Sequence, residues 1–177
     1  VSRKDTLTDG LTGFWTFDGG DMAGDTAYDR SGNSNNGTLT NGPVRTLGKI
    51  GQGLQFDGVD DVVDTFKALT NFITSSVGTI SVWIKPTGTS PTVSASYSGQ
   101  GIVVDNGGYI GINRGIIGGD DRIWVDLWDG SDKRFGIPYT NDVWIHIVWL
   151  HSGGNLYGYA NGVLVGSVAA GDVSTMT

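Results

Sequence analysis

The sequence predicts an all-β fold, a sandwich or barrel of antiparallel strands, and three observations carry that expectation. Gly and Asn punctuate the 177 residues roughly every eight to fifteen positions, with short apolar runs between them. Within several runs apolar and polar residues alternate with the two-residue period of a half-buried strand. No segment sustains the i, i+3, i+4, i+7 apolar spacing of an amphipathic helix.

Taken in order, Leu11-Thr-Gly-Phe-Trp-Thr-Phe17 reads as a first strand, followed by a long polar loop from Asp18 to Asn36. Gly53-Leu-Gln-Phe-Asp57 reads as another, with Leu54 and Phe56 on one face. Phe66–Ile73 has room for a short turn or two. Gly78–Ile84 alternates Ile80, Val82 and Ile84 against Thr79, Ser81 and Trp83, and Pro86 ends it. Thr87–Gly99, rich in Ser, Thr and Gly, reads as a solvated loop. Arg122–Asp129 puts Ile123, Val125 and Leu127 on one face and Trp124, Asp126 and Trp128 on the other. Val143–His151 is apolar on both faces, as a strand buried between two layers would be. Asn155–Ala160 and Val163–Ser167 are β-rich runs joined by Asn161-Gly162, a pair suited to a type I′ hairpin turn.

Length and charge narrow the function. A chain of 177 residues accommodates one ordinary domain. Its net charge of −7 repels phosphate backbones and anionic lipid, which argues against nucleic-acid or membrane-surface binding. Cysteine is absent, so disulfides, thiolate zinc sites and Cys nucleophiles are excluded. No window approaches the ~18 apolar residues of a membrane span. The start, Val1-Ser-Arg-Lys-Asp, does not resemble a signal peptide, which leaves open a signal already removed or a start downstream of one.

Several blocks, in this order, carry a family resemblance. They are Gly10-Leu-Thr-Gly-Phe-Trp-Thr-Phe-Asp18, Ala27-Tyr-Asp-Arg-Ser-Gly-Asn-Ser-Asn-Asn-Gly-Thr-Leu39 and Gly48-Lys-Ile-Gly-Gln-Gly-Leu-Gln-Phe-Asp-Gly-Val-Asp-Asp61. Thr79–Pro86, Trp144–Leu150 and Tyr159–Gly166 follow. From about Gly10 to Ser167 the chain resembles the laminin-G-like jelly rolls of the concanavalin A-like lectin/glucanase superfamily. The resemblance implies a jelly-roll sandwich of two antiparallel sheets, residues 10–177, preceded by an arm or linker at residues 1–9. It also implies a non-catalytic module, extracellular or at the cell surface, that binds a glycan or a surface protein and carries structural calcium. The family's closing C-terminal strand has no counterpart before Thr177. That departure suggests a fragment of a longer chain, or a strand donated by another copy with self-association as the outcome.

Candidate sites follow from side-chain chemistry. Calcium takes six to eight oxygens. The loop carrying Asp18, Asp29 and Asn33 offers carboxylate and amide oxygens, and the resemblance points to this loop as the ion site. The same residues also make turns by bonding their own backbone. Asp57-Gly-Val-Asp60-Asp61 is a second acidic cluster, more simply a strand-entry turn. Glycan binding needs a flat aromatic surface flanked by polar groups. Trp124, Asp126 and Trp128 share one strand face, with Tyr109 or Tyr97 as possible companions.

Catalytic readings are weaker. The superfamily's glucanases use a strand with alternating acidic residues, Glu-x-Asp-x-x-Glu-like, and Asp126-x-x-Asp129 is the nearest approach here. His146 and His151 fall on opposite faces of one strand, and neither belongs to a nucleophile motif. The expected function is non-catalytic recognition, with a self-assembling surface module as the rival.

Overall fold

The computed structural model describes residues 10–67, 72, 77–93, 100–104 and 110–171. The proposed arm at residues 1–9 and most of the segment 68–76 lie outside them. The chain divides into two compact units, Val1–Lys67 and Ala68–Thr177.

In the first unit the described strands, in chain order, are β1 (Met22–Ala23), β2 (Thr26–Ala27), β3 (Gly37–Thr40), β4 (Val44–Leu47), β5 (Gln52–Gln55) and β6 (Val62–Asp64). They form an antiparallel sheet β1-β2-β3-β6 and a separate β4-β5 hairpin. Leu54 is half-buried, whereas Phe56 lies past the end of β5 and is exposed.

Leu11–Phe17 does not join a sheet, contrary to its strand-like pattern. Its polar backbone groups find other partners. The Phe14 N–H donates to the Asp29 carboxylate, the Phe14 carbonyl accepts from the Arg30 N–H, and the Thr12 carbonyl accepts from the Asn35 amide. Phe17 then takes a left-handed backbone (φ 60°), which ends any extended run.

The second unit contains β7 (Gly78–Ile84), β8 (Gln100–Val104), β9 (Ile110–Ile117), β10 (Asp120–Trp128), β11 (Asp132–Ile137), β12 (Ile145–Ser152), β13 (Asn155–Ala160) and β14 (Val163–Ala169). They form two four-stranded antiparallel sheets, β7-β12-β13-β14 and β8-β9-β10-β11. Asn161 and Gly162 both have positive φ (51° and 81°), as the type I′ turn between β13 and β14 requires.

Register decides what each sheet buries. Ile123 faces Ile137, Val125 faces Ile112, and Leu127 faces Ile110, all fully buried. On the other sheet Ile145, Ile147 and Trp149 of β12 lie opposite Ile84, Val82 and Ile80 of β7. The two faces form one apolar core. Burying each large aliphatic side chain in it contributes roughly 1.5–3 kcal/mol. The Trp149 indole N–H donates to the Asp126 carbonyl at 3.0 Å, joining the layers by a buried hydrogen bond.

Phe135 of β11 shows why glycine is needed at one point. Its ring lies over Gly158 of β13, where an added Cβ would sit 2.4 Å from a ring carbon, and against Gly166 of the neighbouring β14. Two glycines side by side therefore open the slot that the ring fills.

β9 is the strand the sequence hides, because its glycines suggest a loop. In the sheet Gly111, Asn113 and Gly115 alternate with Ile110, Ile112 and Arg114, so one face holds two glycines and an amide and the other holds the bulk. Arg114 is buried and fully engaged. Its guanidinium donates to the Thr87 and Gly88 carbonyls (both 2.6 Å), to Tyr139 Oη (2.7 Å) and to Asn141 Oδ1 (3.0 Å). Tyr139 Oη and Ser90 Oγ in turn donate to Asp121 Oδ1. The segment from Thr87 to Val93 is thus tied down, not a freely solvated loop, and Ser90 within it is buried.

Gly158→Ala is expected to lower stability by about 1–3 kcal/mol through overpacking. Combining it with Phe135→Leu should recover part of that loss, read as the midpoint of denaturant unfolding. Equal loss in the single and double variants would disprove the slot.

Candidate functional site

Asp29 is the hub of the first polar loop. Its Oδ1 accepts from the Phe14 N–H (2.9 Å) and the Ser31 N–H (2.8 Å); its Oδ2 accepts from Ser31 Oγ (2.7 Å) and the Asn35 N–H (2.9 Å). Burial opposes the charge, but the hydrogen bonds from Ser31, Asn35 and Phe14 outweigh it and hold the carboxyl below its usual range. Four donors fill the roughly four acceptor positions of a carboxylate.

The other two residues of the expected calcium set are also engaged. Asp18 Oδ1 accepts from the Gln52 N–H at 2.7 Å. Asn33 directs its amide nitrogen to the carbonyls of Leu11 (3.0 Å) and Thr12 (3.4 Å) and to Ser31 Oγ (3.1 Å). Asp29 therefore does not fit a calcium ion in this arrangement; the loop is closed by its own hydrogen bonds. Among the described residues the carboxylates that do converge are Asp57, Asp60 and Asp61. There Asp57 Oδ1 accepts from the Val59 and Asp60 N–H groups, and Asp61 Oδ2 accepts from the Asp57 N–H, the bonding of a strand-entry turn.

On β10 the predicted face forms. Trp124, Asp126 and Trp128 all point away from the core that buries Ile123, Val125 and Leu127. The three residues are not equally placed. Trp128 is exposed and Trp124 half-buried, while Asp126 is fully buried and accepts from the Asn113 amide at 2.9 Å. Asp126 is thus a support beneath the face and not a group presented on it, which corrects the expectation that it meets ligand. Tyr109 and Tyr97 lie outside the described residues.

The Trp124 indole spans its neighbours. Its N–H donates to the Gly115 carbonyl on β9 at 2.9 Å, while its six-membered ring reaches over Gly136 on β11. A Cβ at Gly136 would sit 3.1 Å from Trp124 Cζ3, so glycine there leaves room for the ring to lie across the sheet. The Arg134 guanidinium stands 5.7 Å from the ring centroid and pairs with Asp132 at 2.9 Å. An aromatic plate with a basic and an acidic side chain beside it can stack on the C–H face of a sugar and bond its hydroxyls.

Sequence reasoning missed a second aromatic face, on the outside of the β7-β12-β13-β14 sheet. Trp83 of β7 stacks on His146 of β12 with centroids 5.0 Å apart, and Ser81 Oγ lies 2.8 Å from His146 Nε2. On β7 the signal was present in the alternation, which turns Trp83 away from the core; β12 is apolar on both faces in sequence, and its pairing with β7 is what puts His146 beside Trp83. His151, of opposite parity on β12, is buried beside Trp149.

Residues 56–177 match the model of a family described as the concanavalin A-like lectin/glucanases superfamily. The chain belongs to that superfamily. Its antiparallel sandwich is the fold the sequence resemblance implied. Among solved structures it is similar to domain 4 of AbnA, a GH43 extracellular arabinanase from Geobacillus stearothermophilus, determined in complex with arabinotriose. The TM-score is 0.59 with 22% sequence identity, covering 92% of this chain and 77% of that one. No curated protein matches the chain. No helix among the described residues is long and apolar enough to cross a membrane.

Asp29→Asn is expected to cost about 1–3 kcal/mol at neutral pH, because an amide cannot accept all four donors. A carboxyl with a depressed folded-state pKa stabilises above its unfolded pKa, near ~3.9, and loses that contribution as pH falls through the folded value. The gap between wild type and Asp29→Asn should therefore narrow below about pH 4 in acid-titrated unfolding. Calcium and a chelator should leave the wild-type melting temperature unchanged; a calcium-dependent rise abolished in Asp29→Asn would overturn the closed-loop assignment.

Proposed function

We propose that this chain is a non-catalytic carbohydrate-binding module acting outside the cell, and that the outer face of β10 is its glycan platform. The observation that carries the reading is the Trp124 indole laid across the sheet from Gly115 to Gly136, with Arg134 and Asp132 beside it. Trp128 extends the aromatic surface along the same strand. The similar structure determined in complex with arabinotriose supports a sugar as the ligand class, and a pentose chain is the first to test.

Two features support a binding role over a catalytic one. Glycoside hydrolysis by two carboxyls requires both to reach the scissile bond. Asp126, the residue nearest the superfamily's acidic strand pattern, is fully buried and bonded to Asn113. The glutamates of the superfamily's Glu-x-Asp-x-x-Glu-like strand also have no counterpart, since the 18 acidic residues are all aspartate. The closed Asp29 loop supports a structural role that needs no ion.

Trp124→Ala should weaken binding to the best glycan of an arabinan-containing array about tenfold, the effect of one aromatic stacking contact, in a chain that circular dichroism shows still folded. Failure of the wild-type chain to bind any glycan on the array would remove the reading.

A second role, assembly with copies of itself, is favoured by one observation. β14 lies at the edge of its described sheet and leaves Val163, Leu164 and Val165 exposed. An apolar edge strand is a template for pairing. On this reading light scattering shows concentration-dependent oligomers, and Val165→Lys returns them to monomer; a monomer at all concentrations would exclude it.

A further inference from the structure

The aromatic face on the outside of the β7-β12-β13-β14 sheet has chemistry of its own. Cross-strand register places Trp83 opposite His146 and Ser81 opposite Val148, with Tyr159 the next residue across on β13. Beyond the end of β7, Lys85 Nζ stands 5.9 Å from the Trp144 ring centroid. Ser81, Trp83 and Lys85 are all exposed, with Trp83 at 39%.

The arrangement is built, not incidental. His146 is held at three points: its ring against Trp83, its Nε2 by Ser81 Oγ, and its backbone N–H by the Asn161 side chain at 3.0 Å. Asn161 sits at the left-handed first position of the β13–β14 turn, so the turn that closes the hairpin also fixes the imidazole strand. Ordering the rings before a ligand arrives lowers the entropy lost on binding.

The charge on this face selects among ligands. The molecule carries 18 acidic residues, yet none lies on the outward positions of β7, β12, β13 or β14. A cation would find no carboxylate there, and a polyanion would find one lysine. A flat π surface rimmed by hydroxyl, imidazole and phenol groups suits a neutral polyol with an apolar ring face.

We propose that Trp83 and His146 form a second glycan platform for neutral oligosaccharides, on the layer opposite Trp124. The proposal rests on the carbohydrate reading above and goes beyond it in stoichiometry. The two sheets bury their inner faces against each other, so their outer faces look in opposite directions. One chain then holds two sugar segments, and a soluble polysaccharide would be cross-linked by the monomer.

The test is isothermal titration of the full chain with arabinotriose, and with any other neutral oligosaccharide an array identifies, using Trp83→Ala, Trp83→Phe, Trp124→Ala and the Trp83→Ala/Trp124→Ala double variant. Two sites per chain are expected. Each alanine variant should leave one site at wild-type affinity and weaken the other about tenfold, the double variant should weaken both, and Trp83→Phe should weaken its site less than alanine does. Unchanged melting temperatures guard against misfolding, since Trp83 is on an exposed face. One site that is weakened in Trp124→Ala and unaffected in Trp83→Ala overturns the second platform and leaves the carbohydrate reading intact. No binding by wild type to any neutral glycan overturns both. Binding of a protein to this face, with no sugar competing, also overturns the proposal.

Discussion

The second unit depends on one constraint: two pleated sheets must interlock, filling the space between them and pairing the indole N–H that reaches across it. The Trp149 indole meets this by crossing the core and bonding the Asp126 carbonyl. Phe135 meets the packing side of it by filling the space that Gly158 and Gly166 leave open. Once these fit, the phase of every strand is set, because side chains alternate with a period of two and a slip of one residue would reverse both faces. Burying Ile123, Val125 and Leu127 obliges Trp124 and Trp128 to face outward. The same rule on β12 sends His146 out and His151 in, and gives two histidines of one strand opposite surroundings.

The first unit is held by different means. Its strands are short and much of their surface is exposed, so polar bonding does more of the organising. Asp29 gathers four donors from three stretches of chain and takes the place a strand pairing would otherwise have for Phe14. A carboxylate used this way is already fully coordinated by hydrogen, which is why an acidic loop with the right composition for calcium need not be an ion site. The distinction lies in where the lone pairs point, and composition carries no record of that.

Buried charge follows the same logic in the second unit. Arg114 is buried on the core side of β9, where an unpaired guanidinium would be costly, and it is accommodated because carbonyls, a phenol and an amide converge on it. Its partners come from the Thr87–Gly88 segment and from Tyr139 and Asn141, so one side chain fastens two connections to the sheet. Asp126 is similar in kind. Its position beneath the aromatic face is stabilised by Asn113 and makes it a support for that face.

How much was legible in advance follows from which interactions are local. β7, β10 and the β13–β14 hairpin were readable because alternation and the Asn161-Gly162 turn are properties of contiguous residues, and β12 was readable as an apolar run, although only one of its faces is fully buried. The superfamily was readable for the same reason, as an ordered series of short local blocks. β9 was obscured because its glycines acquire meaning only against neighbours on β8 and β10. Leu11–Phe17 looked like a strand because its pattern is strand-like; its backbone partners, Asp29, Arg30 and Asn35, lie some fifteen to twenty-three residues away. By itself the sequence determined the faces of β7 and β10, the β13–β14 turn and the all-β class, since these depend on spacing along the chain. Tertiary structure alone decided that Asp126 is buried, that Asp29 is saturated, and that Trp83 and His146 stack, because each outcome depends on groups that meet only after distant strands have paired.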